Sequence, residues 1–208
     1  MPLAIDVELL TGTYEAGVGG ERPEWPPHPA RVFCALVAQA RLERERDALR
    51  WLERQNPPSI LVPEAGPSVL RGFVPTNGIA RRGRGGTYLA RTNGARSWPR
   101  ALPTIGWFRL EWGNAAVSAA VLGDLQELAA RVAYVGRPAG MVIARVSGDP
   151  PRHLDAYHRL IPADSGPHLL RVPYSGYLDA LMGAYDAGEA ADSVSRSRPY
   201  GTPGGGRG

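Results

Sequence analysis

The chain contains no lysine, and all 24 of its basic residues are arginine. Codon bias in a GC-rich genome can produce that absence by itself. The consequence is the same either way, because arginine presents a planar, permanently charged fork that suits phosphates and base edges. There is one cysteine, Cys34, which excludes an internal disulfide framework and a cysteine-built zinc site. On an apolar helix face it reads as a buried, inert thiol. No stretch approaches the ~20 apolar residues of a membrane span. The first ten residues carry Asp6 and Glu8 and no basic lead segment, so they do not read as a signal peptide. A cytoplasmic protein without a membrane partner is expected.

Catalytic and cofactor signatures are equally scarce. The four histidines, His28, His153, His158 and His168, make no HExxH or comparable metal spacing. No GxSxG occurs. Gly83–Gly86 and Gly17–Gly20 lack the lysine and the Ser/Thr of a phosphate loop. No metal site, no cofactor and no assigned catalytic residue is therefore expected. Metal-free RNA cleavage would need a histidine or tyrosine near a 2′-hydroxyl to move protons. His28 and Tyr14 are the candidates, each set against a capping or packing role.

The last absence is local. Between Glu64 and Glu111 there is no acid at all, while Arg71, Arg81, Arg82, Arg84, Arg91, Arg96, Arg100 and Arg109 fall there. That window carries +8, so with a total of +4 the remainder carries −4. At 208 residues and 43% hydrophobic, the chain can bury a real core, hiding ~70% of its unfolded surface.

Alternation of Leu3, Ile5, Val7 and Leu9 predicts a strand. A turn-rich stretch leads to Glu24-Trp25-Pro26-Pro27-His28-Pro29-Ala30-Arg31, a proline-locked approach to a helix. That helix is one long element, or two broken near Glu43–Asp47, ending before Pro57-Pro58. Strands are predicted at Ser59–Pro63 and Val69–Val74, split by Gly66-Pro67. Residues 75–104 show no apolar period and form an Arg-rich excursion. A strand at Gly106–Trp112 follows, then a helix capped by Asn114, with Val121, Leu125, Leu128, Ala129 and Val132 inward and Gly136 closing it. Met141–Val146 is the next strand.

This order is the split βαβ pattern, so the fold class is α+β: a ferredoxin-like, RRM-like βαββαβ core. The core spans 1–147, with the insertion at 75–104. Residues 148–192 form a C-terminal extension with a strand at Leu169–Pro173 and a helix at Tyr177–Ala187. Residues 193–208, rich in Ser, Arg, Pro and Gly, read as a flexible tail or truncated linker. RNA-recognition modules share this layout and meet single-stranded RNA on the sheet. The excursion adds Tyr88 and Trp98, which can stack on bases, and Asn77 and Asn93 among the arginines.

Five strings also carry a resemblance. They are Glu24 to Arg31 followed by Phe33 and Ala35-Leu36-Val37-Ala38; Ala48-Leu49-Arg50-Trp51-Leu52-Glu53; Phe73-Val74-Pro75-Thr76-Asn77; Tyr134-Val135-Gly136-Arg137; and Leu170-Arg171-Val172-Pro173. In this order they resemble the type I-G (formerly I-U) CRISPR Cascade subunit, in which a Cas-five module is fused to a Cas-six endoribonuclease. The family belongs to the repeat-associated RNA-binding (RAMP) superfamily.

The resemblance implies a non-catalytic subunit in antiviral defence. It would bind the 5′ handle of the CRISPR guide RNA (crRNA) and meet the Cascade backbone and large subunits. The excursion would be its thumb. Arg31, Arg71, Asn77, Arg81, Arg82, Arg84, Tyr88, Arg91, Arg96, Trp98, Arg100, Gly136 and Arg137 are the implied RNA-binding residues. Gly136-Arg137 matches a glycine-rich turn that brings backbone close to RNA. The chain stops where a fused protein would enter its Cas-six half, so that half is separate or missing. The alternative is a metal-independent endoribonuclease acting on CRISPR repeat RNA.

Overall fold

A computed structural model describes residues 2–76, 80–83, 86–89, 92–150 and 157–204. Strand β1 (Leu3–Leu9) buries Leu3, Ile5, Val7 and Leu9 on one side, as the alternation demands, and turns Asp6 and Glu8 to the other. Helices α1 (Pro29–Val37) and α2 (Glu43–Glu53) follow. The chain breaks at 38–42, and the charged run lies inside α2 rather than at the break. The Glu45 carboxylate accepts from the backbone N–H groups of Arg41 (2.7 Å) and Leu42 (2.9 Å), satisfying donors that a helix start leaves open.

Strand β2 (Ser59–Val62) leads into β3 (Ala65–Thr76), which pairs along its whole length with β6 (Thr92–Pro103). A small hairpin of β4 (Ala80–Gly83) and β5 (Gly86–Leu89) lies between them in sequence. Here the expectation is corrected. Gly66 and Pro67 do not split two strands but lie within β3, opposite Leu102 and Ala101. The described part of the excursion is a ribbon of residues 65–76 paired with 92–103. Of its described residues only Pro99 and Ala101 are buried, so the ribbon leaves no period-two apolar signal.

Strand β7 (Trp107–Trp112) returns to the main sheet with Phe108, Leu110 and Trp112 buried. Helix α3 (Ala119–Ala130) is capped by Ser118, whose Oγ accepts from the N–H of Val121 at 3.3 Å, so Asn114 is not its cap. Nor does Gly136 close it, since the helix ends at Ala130 and Gly136 sits in the turn before β8 (Val142–Ser147).

The remaining elements are β9 (His158–Pro162), β10 (His168–Val172), α4 (Tyr177–Asp186), a 3-10 turn at Ala191–Val194 and β11 (Arg196–Gly201). β9 has no counterpart among the expected elements. β11 overturns the reading of 193 onward as a flexible tail: it pairs with β10 and β9, and its Tyr200 has no solvent exposure. Residues 205–208 lie outside the described residues.

The described residues form a mixed α+β fold with four α-helices and a seven-stranded antiparallel sheet, in the order β10-β11-β9-β2-β7-β1-β8. The sheet continues past residue 147, because β9 pairs with β2. Helix α1 packs near β10, α3 on β8, and α2 against both α3 and α4. Between helices and sheet lies one core built on Phe33, Leu36, Leu49, Phe108, Leu125 and Leu128. The other sheet face carries a charge ladder: Arg109 to Asp6 (3.3 Å) and Glu111 (3.0 Å), Arg159 to Glu111 (2.6 Å), and Arg145 to Glu8 (3.2 Å). The described chain has no helix long and apolar enough to cross a membrane.

Candidate nucleic-acid interface

Residues directly opposite in an antiparallel ladder share a face, so the register of β3 and β6 sorts the ribbon's side chains. One face holds the pairs Ser68–Arg100, Leu70–Trp98 and Gly72–Arg96. The other holds Val69–Pro99, Arg71–Ser97 and Phe73–Ala95. Arg96, Trp98 and Arg100 are spaced by two along β6 and therefore lie in a row on the first face. Trp98 rests against Gly72, where an added Cβ would come within 3.0 Å of the indole ring. Leu70 beside it is 49% exposed. Cations flanking a partly exposed indole are the pairing that holds a single strand, phosphates on the guanidinium groups and a base on the ring.

The base of this face is anchored by a buried acid. Glu15 lies 3.7 Å from Arg100 and 3.9 Å from Arg137, and accepts from the Thr13 hydroxyl at 3.0 Å. Arg137 also donates to the carbonyl of Pro99 in β6, and its N–H donates to the carbonyl of Glu15 at 2.9 Å. Gly136 has φ +91°, and a Cβ there would sit 2.6 Å from the Glu15 carbonyl oxygen. The chain's own backbone therefore explains this glycine without a ligand. Gly136 and Arg137 brace the ribbon base, and both Arg100 and Arg137 keep side-chain exposures of 30%.

The second face is neutralised. Arg71 donates twice to Glu21 (3.2 and 2.7 Å), and the Ser97 hydroxyl donates to the same carboxylate at 2.5 Å. Hydrogen bonds from Arg71 and Ser97 hold the Glu21 carboxyl down at about 2. Arg71 is thus separated from the row on β6. Arg81 and Tyr88 occupy paired positions in the β4–β5 hairpin, as do Arg82 and Thr87. Asn77, Arg84 and Arg91 lie outside the described residues.

Arg31, His28 and Tyr14 belong to a different place. Glu24 has no solvent exposure. It accepts from Tyr14 Oη (2.8 Å), from Arg31 Nε (2.9 Å) and Nη2 (2.6 Å), and from Arg171 Nη2 (3.1 Å). Arg171 Nε donates to His28 Nδ1 at 2.8 Å, and Arg171 Nη1 is bonded to Asp192. Burial pushes the Tyr14 hydroxyl well above its usual range and His28 below its own. A tyrosine with no exposure and a histidine 7% exposed do not reach a bulky RNA strand. The hydrogen bonds of these three join the loop before α1 to β10. The Trp25 indole completes the joint by donating to the Pro63 carbonyl at 3.2 Å.

Sequence reading missed Glu15, Glu21 and Glu24, which come from the turn-rich stretch and fold onto arginines remote in the chain. It also missed that Arg109 is buried and ion-paired. No sequence pattern marks such pairings. The spacing of Arg96, Trp98 and Arg100 was the one available signal of a shared face. On the open face of the sheet Trp107 is packed against Tyr157, with ring centroids 4.7 Å apart.

A family model described as "CRISPR-associated protein, GSU0054 family" matches residues 4–202. No curated protein matches the chain significantly.

Proposed function

The chain belongs to the GSU0054 family of CRISPR-associated proteins, and from that membership we propose that it is a non-catalytic, guide-RNA-binding subunit of a type I-G Cascade. The observation that carries this is the row Arg96, Trp98, Arg100 on one face of a long ribbon, with Arg137 at its foot. In this reading the 5′ handle of the guide RNA lies along that row, and the ribbon acts as a thumb toward the backbone subunits.

The core is read as ferredoxin-like. Its support is the strand order β8-β1-β7-β2, which is 4-1-3-2 when the four strands are numbered along the chain, with helices in both crossovers. The C-terminal strands β9 to β11 extend the sheet beyond β2. The nuclease alternative is disfavoured because its two candidates, His28 and Tyr14, are buried and engaged with Arg171 and Glu24.

The test is a gel-shift titration of end-labelled repeat RNA and mature guide RNA, in EDTA, at several salt concentrations. With ~3 to 4 phosphates contacted, binding falls with log salt at a slope of roughly −2 to −3. Changing Arg96 and Arg100 together to Ala weakens binding and flattens the slope by about 1 to 2, while Trp98→Ala costs about 1–3 kcal/mol of affinity with the slope retained. Unchanged affinity and slope in both variants remove the ribbon face from the site. A shortened RNA product makes the protein a nuclease.

A further inference from the structure

The groove between α1 and α4 lies apart from the ribbon and has a different chemistry. Its floor is apolar, formed by Cys34 and Val37 of α1 and Leu181 and Met182 of α4, and its volume is about 360 Å³. Helix α4 already has a buried face in Tyr177, Leu178, Leu181 and Ala184. Yet Met182 and Tyr185, three residues apart and so on one side of the helix, stand 42% and 83% exposed at the groove's edge. Methionine and tyrosine exposed together beside a groove form the composition that protein interfaces favour.

The rim is acidic. From Pro173 to Ser195 the chain has Asp179, Asp186, Glu189 and Asp192 and no basic residue. Asp179 faces Arg50 at 3.7 Å and Asp192 pairs with Arg171. Asp186 and Glu189, which line the groove, have no ion-pair partner among the described residues; Glu189 accepts only from the Ser193 hydroxyl. Two uncompensated carboxylates repel phosphates, so a nucleic acid is the wrong occupant. They attract a cationic one.

We propose that this groove docks a short amphipathic segment of another protein, with arginine or lysine flanking its apolar face. A ten-residue α4 gives a bed ~15 Å long, which suits two to three turns of helix laid into the groove. The proposal does not depend on the RNA reading, since it uses neither the ribbon nor its arginines.

The test uses the full chain and a fluorescein-labelled synthetic peptide of about 14 residues, with leucines along one face at helical spacing and lysines elsewhere. The same peptide with glutamates for lysines is the control. Fluorescence anisotropy should show the lysine peptide binding and the glutamate peptide not binding. The double changes Met182→Asp with Tyr185→Asp, and Asp186→Arg with Glu189→Arg, should each weaken the lysine peptide about tenfold or more. All four positions are at the surface of the groove, and circular dichroism melts check the fold. If the first pair does not fold, the charge reversal decides alone. Equal binding to the native chain and a folded variant, or no binding to the native chain, overturns the proposal. So does a loss of affinity for a single-stranded RNA oligonucleotide in the groove variants, which would assign the groove to nucleic acid.

Discussion

A carboxylate that never meets water keeps its charge only where cations and hydroxyls replace the solvent. Glu24 has Tyr14, Arg31 and Arg171 around it. Burial pushes its carboxyl up, and the hydrogen bonds from Arg31 and Tyr14 together with the positive charge around it more than offset this, so the group titrates below its usual range. Glu24→Gln keeps the volume and removes the charge, leaving two partly buried guanidinium groups facing an amide. Urea unfolding should show a loss of about 3–5 kcal/mol, and a loss near zero would mean the arginines simply rehydrate. His28 adds a pH dependence. Burial lowers its pKa, and the neutral ring accepts from Arg171. The unfolded chain therefore takes up this proton first, near pH ~6.5. Stability is full above that value and declines as pH falls toward the folded pKa. Unfolding free energies measured from pH 7.5 down to about 5 should fall, and His28→Asn, which keeps an acceptor near the Nδ1 position, should reduce the decline. The remainder belongs to His168, whose pKa burial also lowers. An unchanged decline would show that His28 is already protonated in the fold.

Among the elements, β11 shows how one side chain can decide the fate of a strand. Its sequence, Arg196-Ser197-Arg198-Pro199-Tyr200-Gly201, has a single large apolar residue, and that residue has no exposure, with its hydroxyl donating to the Pro58 carbonyl at 2.9 Å. Gly166 makes room for it: a Cβ there would sit 2.2 Å from the Tyr200 carbonyl oxygen. Because β11 lies between β10 and β9, ending the chain at Ser195 strips both of a partner. Such a truncation should lose the cooperative melt of the C-terminal region and become sensitive to limited proteolysis there. Tyr200→Phe should cost only about 1–3 kcal/mol, the price of the orphaned carbonyl. A truncated chain that melts like the full one would mean β11 is dispensable. This strand was not legible in the sequence, since composition averages over the one residue that matters. β1 and β7 were legible, because each has one buried and one polar face and the alternation records it. β3 and β6 fall between these cases: the glycines and prolines that read as breaks are tolerated in a ribbon with no core to fill.

At the scale of the whole molecule, the +8 window of the sequence is not a +8 patch in space. Arg71 is neutralised by Glu21, Arg109 by Asp6 and Glu111, and Arg100 leans on Glu15. All four acids except Glu111 come from the first 21 residues, so sequence windows could not count them against the arginines. The sequence places most candidate residues on the excursion, but their division between two faces needs the register. The fold, by contrast, owes the ribbon little. Among the described residues between Gly66 and Arg100 none belongs to the buried hydrophobic core, whereas Ala101 at its foot does and the partly buried Ala65 packs against it. Replacing residues 73–95 by an Asn-Gly turn joins Gly72 to Arg96, a directly opposed pair, with a loop suited to a two-residue hairpin. This shortened chain keeps Trp98, Arg100 and the Glu21 clamp. Its melting temperature should stay within about 4 °C of the full chain, the shift that ~1 kcal/mol produces at this size. Its RNA affinity then apportions the interface. A loss of salt slope with Trp98→Ala still harmful places phosphate contacts on the distal arginines and stacking at the base. Full retention of affinity puts the whole interface on Arg96, Trp98, Arg100 and Arg137, and leaves the distal ribbon to contacts with protein.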